Sequence, residues 1–321
     1  MKWNDMHNFL IAALEKKIPE KAKLADVLSD ILCMEKGAVY RRIRGEVPFS
    51  FFEIVNITEK LNMSLDSLVH ANSMRTDRFV LKLIEYTELN DIDYTHWDDY
   101  NELIDSAKND SKSEIAESLN VLPISIYSKF DTLSRYYLFK WQYLFNGTKS
   151  RLPYRDLVIP ERLYRIYQTY FEKTRNIANT LYVWDHLIFQ YLVTDIKYFS
   201  SINLVTSNDI RQIKEELFAF LDYTEKIAIN GCFEETGKPV QFYISDINLE
   251  ADYSYIRIND LYISLVRTFI LYSGASLDRD SYEKTKAWIQ SLKKSSTLVT
   301  QSGTMLRAHF FEKQRNIISE L

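Results

Sequence analysis

The chain has 321 residues, 46% of them hydrophobic and 26% charged, and a formal net charge of −4 at pH 7. This length allows two domains or one large one with a substantial core, and the acidic balance gives no chain-wide pull toward nucleic acid. Glycine occurs only 7 times, and neither GxGxxG nor GxxxxGK(S/T) is present. Both motifs need glycine where backbone approaches phosphate, so a nucleotide-binding α/β enzyme is not expected.

Two cysteines, Cys33 and Cys232, are too few for a disulfide framework and predict a reduced, cytoplasmic chain. The opening "MKWNDMHNFLIAALEKKIPEK" has no sustained apolar run followed by a small-residue cleavage site, so it predicts an amphipathic helix rather than a signal peptide. The longest apolar stretch, "LYISLVRTFILY" (261–272), is too short to span a bilayer and carries Arg267. No membrane partner is expected.

Residues 5–16 place Phe9, Leu10, Ala13 and Leu14 on one side at helical spacing. Pro19 opens a second helix, where its missing N–H costs least, and "KAKLADVLSDIL" continues it with Leu24, Leu28, Ile31 and Leu32 inward. A third helix spans about Lys36 to Arg44 and stops at Gly45, suited to a left-handed cap. Ser50 can cap a fourth, "FFEIVNITEKL", with Phe51, Ile54, Ile57 and Leu61 as its apolar positions. Ser64 can cap a fifth, "LDSLV". The polar, aperiodic "HANSMRTDR" (70–78) marks a boundary, giving a domain at 1–70, a linker at 71–78 and a larger region at 79–321.

Within "LSDILCMEKGAVYRRIRGE" (28–46), Leu28, Ile31 and Leu32 anchor one short helix, Met34 plugs a turn, and Val39 and Ile43 seat the next helix on the core. Lys36, Gly37, Tyr40, Arg41 and Arg44 are left facing outward. A helix-turn-helix needs this arrangement, because its second helix must present an exposed edge to the major groove.

These residues resemble the phage-repressor-like (Xre or lambda-repressor type) helix-turn-helix family. Leu28 and Leu32 fall on the paired leucines of helix 2, Met34 on the apolar turn residue, and Val39, Ile43 and Gly45 on recognition-helix positions. Ser50, Ile54, Ile57, Leu61, Met63, Ser64, Leu65, Asp66 and Leu68 continue the match without a gap. Cys33 stands where the family has its turn glycine, Glu35 where it has a capping Ser or Thr, and Phe49 at the usual proline position. The resemblance covers roughly residues 5–70. It implies that Lys36, Gly37, Ala38, Tyr40 and Arg41 lie near the groove, with Arg44 and Lys60 available to phosphates and Arg42 leaning over the flank to position the backbone. It further implies a double-stranded DNA partner and a homodimer, since one recognition helix covers one half-site.

Beyond residue 78 the patterning predicts helices near 78–90, 96–108, 124–146, 160–176, 182–201, 207–230, 280–294 and 303–320. "TSND" (206–209) is a helix start. "VQFYIS" (240–245) and "YSYIRI" (253–258) alternate as strands and predict a small β-hairpin. The run 261–273 is ambiguous: Asn259 before it and Gly274 after it favour a helix, its β-branched residues a strand. The expected fold is mainly α: a five-helix helix-turn-helix domain followed by a larger helical domain with that hairpin.

His96, His186 and His309 are too far apart for a metal motif, no GxSxG elbow occurs, and Cys232 is expected to be a small buried or half-buried thiol at a helix end rather than a nucleophile. No catalytic residue, metal or cofactor is assigned, and an enzyme is not expected. The aromatic stretches 136–145 and 180–199 predict helix–helix core, with Asp185, His186 and Asp195 the first residues to examine for a pocket. The function expected is a sequence-specific transcriptional regulator whose C-terminal region dimerises and senses a small molecule or protein effector. The alternative is a helical interaction scaffold whose basic helix docks an acidic partner.

Overall fold

In a computed structural model the residues described are 3–18, 20–61, 63, 91–146, 152–269, 272–301 and 303–321. Pro19 and the helices expected at 65–69 and 78–90, with the boundary between them, lie outside these. The chain divides into two compact units, Met1–Arg78 and Phe79–Leu321.

The first unit is built from α1 (Trp3–Lys17), α2 (Lys21–Leu32), α3 (Lys36–Ile43) and α4 (Phe51–Lys60). Leu10, Leu14, Leu24, Ala25, Leu28, Val39, Phe49 and Ile57 form its core, each large aliphatic contributing about 1.5–3 kcal/mol by leaving water. Phe49, at the position where the resemblance expects proline, fills that core. Phe51, expected inward, is 68% exposed, as is its neighbour Phe52 at 79%.

Local chemistry sets the helix ends. Ser50 caps α4 in a reciprocal box with Glu53. Gly45 at φ +74° ends α3, with Gly45 N–H donating to Arg42 O and Glu46 N–H to Arg41 O, the paired bonds of a Schellman cap. Cys33 caps α2 in the left-handed region at φ 50°, ψ 46°, where an L side chain is strained. Cys33→Gly should therefore stabilise the first unit by about 0.5–1 kcal/mol, relief of strain outweighing glycine's extra unfolded-state entropy. Slower hydrogen exchange at the α2 and α3 amides would register it, and unchanged or faster exchange would refute it.

The second unit is not a helical domain with one hairpin. It contains a seven-stranded mixed sheet of order β6-β5-β4-β1-β2-β3-β7. The elements in chain order are α5 (Asp91–Asp105), β1 (Glu114–Leu119), the single turn α6 (Ile124–Tyr127), α7 (Asp131–Asn146), α8 (Glu161–Thr174), β2 (Asn179–Asp185), α9 (Ile188–Ser201) and α10 (Ser207–Asn230). There follow β3 (Val240–Ser245), β4 (Asp252–Ile258), β5 (Leu261–Phe269), β6 (Tyr272–Ser276), α11 (Arg279–Leu292), β7 (Ser296–Leu298) and α12 (Thr304–Ser319). β2 runs parallel to both β1 and β3, and the other pairings are antiparallel.

Two expectations fail here for identifiable reasons, and one ambiguity is resolved. The helix expected from 182 begins at 188, because "NTLYVWD" is a strand buried on both faces and so shows no alternation. Segments 240–245 and 253–258 are strands, but not a hairpin: β1 and β2 lie between them. In the ambiguous run 261–273, residues 261–269 form β5 and 272–273 open β6. Asn259, at φ 53°, makes the turn between β4 and β5 rather than capping a helix.

The two sheet faces pack differently. Leu119, Tyr182, Trp184, Phe242 and Ile244 join a large core with the aromatic face of α7, where Tyr136, Tyr137, Phe139 and Trp141 are buried, and with α9, α10 and α12. Ala116, Leu181, Val183 and Tyr255 pack with Tyr282, Ile289 and Leu292 of α11. Among the described residues no helix is long and apolar enough to cross a membrane.

Candidate nucleic-acid interface

Val39 is wholly buried and Ile43 packs beside it, which fixes the rotation of α3. His7 of α1 meets the Ile43 carbonyl through Nε2 at 3.1 Å, tying the end of α3 to α1. The Ser29 hydroxyl donates to Met34 O, and Met34 N–H to Ser29 O at 3.1 Å, so the turn between α2 and α3 is closed twice.

With α3 held this way, Lys36, Gly37, Tyr40, Arg41 and Arg44 share one exposed edge, and Ala38 is half-buried beside them. A Cβ added at Gly37 would meet nothing within 4 Å, so that part of the edge is open to close approach. Tyr40 is 40% exposed. Lys36 pairs with Asp26 at 2.7 Å and Arg44 with Glu46 at 2.6 Å, both in solvent-exposed positions. Such pairs are weak and exchange readily for a phosphate. The hydrogen bond to Arg44 is the main reason the Glu46 carboxyl sits below its usual range. Lys60 is exposed in the last turn of α4.

Arg42 is turned the other way. Its Nε donates to both Glu53 oxygens at 3.1 Å and Nη2 to one of them at 2.8 Å, a forked pair with only 17% and 12% of the side chains exposed. Burial pushes the Glu53 carboxyl up, but the Arg42 guanidinium and the Ser50 N–H more than offset this and hold it below the usual carboxylate range. Arg42 therefore joins α3 to α4. Glu53, which sequence reasoning left unnamed, was recognisable three residues after the capping serine.

In the second unit, Asp185 is buried at the end of β2 and accepts from Leu187 N–H at 2.8 Å and Leu249 N–H at 2.7 Å. His186 is half-buried beside it, His309 is exposed and Cys232 is half-buried. The His96 side chain lies outside the described residues. Asp195 forms an ion pair with Lys140 and lines a cavity of about 230 Å³. Under the sheet lies a polar cluster that the sequence did not reveal. The Ser125 hydroxyl donates to Glu117 at 3.1 Å and lies 3.0 Å from the Tyr182 hydroxyl, while Arg267 meets Asp252 at 3.4 Å. Burial pushes both the Glu117 and Asp252 carboxyls above their usual range. Among the described residues no three His, Cys, Asp or Glu side chains converge as a metal ion would require.

No known protein family, curated protein or solved structure matches this chain.

Proposed function

We propose that this protein is a cytoplasmic, sequence-specific regulator that binds duplex DNA through the exposed edge of α3, with the second unit serving dimerisation and effector sensing. The observation that supports this reading is the division of labour on α3. Val39, Arg42 and Ile43 hold the helix, and Lys36, Gly37, Tyr40, Arg41 and Arg44 stand together on its open side. Arginine there can bond both guanine O6 and N7, while Gly37 and Ala38 permit close approach to the bases. Charge is local rather than chain-wide, so affinity should depend on few phosphate contacts.

The deciding experiment is selection from random duplex DNA by the full-length protein. A recovered motif with two half-sites about one helical turn apart is the expected result, and failure to enrich any sequence would refute the reading. On the selected site, Arg44→Ala should weaken all sequences alike and reduce the slope of log K against log salt by about 0.9, the share of one phosphate. An unchanged slope would remove Arg44 from the contact. Exposed Phe51 and Phe52 favour a second reading, a helical scaffold that docks a protein. That reading gains if no DNA sequence is enriched.

A further inference from the structure

We infer that the second unit carries a binding site for a free α-amino acid with an apolar or aromatic side chain, in the cavity between α7 and α9. The cavity lies beyond the carboxyl ends of β1 and β2, beside the helices α7 and α9 that follow them. Asn120, directly after β1, forms part of its wall, and two bonds fix that residue. Its N–H donates to Asp252 at 2.7 Å and its Nδ2 to Leu249 O at 3.0 Å. Tyr137 and Lys140 come from α7, and Tyr191, Leu192 and Asp195 from α9.

The volume is about 230 Å³. That is below the range typical of drug-sized ligands and suits an amino acid. The charges narrow the class further. Lys140 and Asp195 are paired across the cavity wall, their side chains 19% and 36% exposed. A ligand with a single charge would take one partner and strand the other half-desolvated. A zwitterion replaces the pair with two pairs, its carboxylate on Lys140 and its ammonium on Asp195, leaving no charge uncompensated. Tyr191, 38% exposed, and the half-buried Val121 give the ligand side chain an apolar wall.

The site deepens the sensing role proposed above, but its test uses no DNA, so the two can fail separately. The full-length protein is titrated calorimetrically with each of the common L-α-amino acids, then with the N-acetyl and methyl-ester forms of any that bind. Saturable binding of at least one aliphatic or aromatic amino acid is expected, with either single-charge derivative weaker by about tenfold or more. Lys140→Met and Asp195→Asn should each weaken the free amino acid to a similar extent. The proposal is overturned if no amino acid binds saturably, or if the derivatives bind as well as the parent. It is also overturned if folded Asp195→Asn binds like the unaltered protein. The derivative comparison needs no variant and so stands even if Lys140→Met fails to fold.

Discussion

Arg41→Ala should weaken binding to the selected duplex by about 1–3 kcal/mol, roughly 5- to 150-fold, and relax the preference at one base of each half-site. Arg41 is exposed on the open edge of α3, and its guanidinium has no hydrogen-bonding or ion-pair partner among the described residues. It can therefore turn toward a base without first breaking an internal bond. Its neighbours Arg42 and Arg44 both hold carboxylates. Arg41→Lys is a sharper probe. It keeps the charge but loses the planar fork, so salt dependence should persist while discrimination against a substituted guanine falls. Quantitative duplex titration with the selected site and its single-base variants measures both. Binding by Arg41→Ala with unaltered affinity and preference would place the reading edge elsewhere.

Arg42→Ala should act on stability instead. Removing the guanidinium leaves Glu53 nearly buried and ionised, and we expect a loss of roughly 2–4 kcal/mol from the first unit. That is a large share of what so small a core can supply. Adding Glu53→Gln should restore much of the loss, because glutamine keeps an acceptor for the Ser50 N–H without a charge to strand. The pH dependence follows from the direction of the shift. The Glu53 carboxyl is held below its usual range, so its contribution is present above the usual carboxylate pKa and disappears as pH falls through the lowered value. The gap between the parent protein and Arg42→Ala should therefore close in acid. Hydrogen exchange at the α3 and α4 amides, followed across pH, tests this. A variant that keeps full stability but binds every duplex more weakly would return Arg42 to positioning the DNA backbone.

The first unit was legible because its determinants are local. Ser50 before α4, Gly45 after α3, and the helical spacing of Leu24 with Leu28 and of Val39 with Ile43 all act within a turn or two. The Arg42–Glu53 pair was missed because it links two helices eleven positions apart, though Arg42's place between Val39 and Ile43 gave the clue. The second unit hid its sheet. β1 reads "EIAESL", and its buried Glu117 disguises a strand at the centre of the sheet. β2 shows no period because both faces are covered. Strand order left no trace at all: nothing in 240–258 indicates that β3 and β4 stand two strands apart. Asp195 was worth examining, but its partner Lys140 lies on another helix and only the folded chain brings them together.

The position of β1 has a consequence for synthesis. Among the described strands it is the first to leave the ribosome, yet its two neighbours are residues 179–185 and 252–258. Throughout translation of the intervening chain, one of its edges has no native hydrogen-bonding partner, while the four described helices of the first unit have already emerged. An unpaired edge is a template for pairing with other chains. The burden on chaperones therefore falls in the interval between emergence of β1 and emergence of β4.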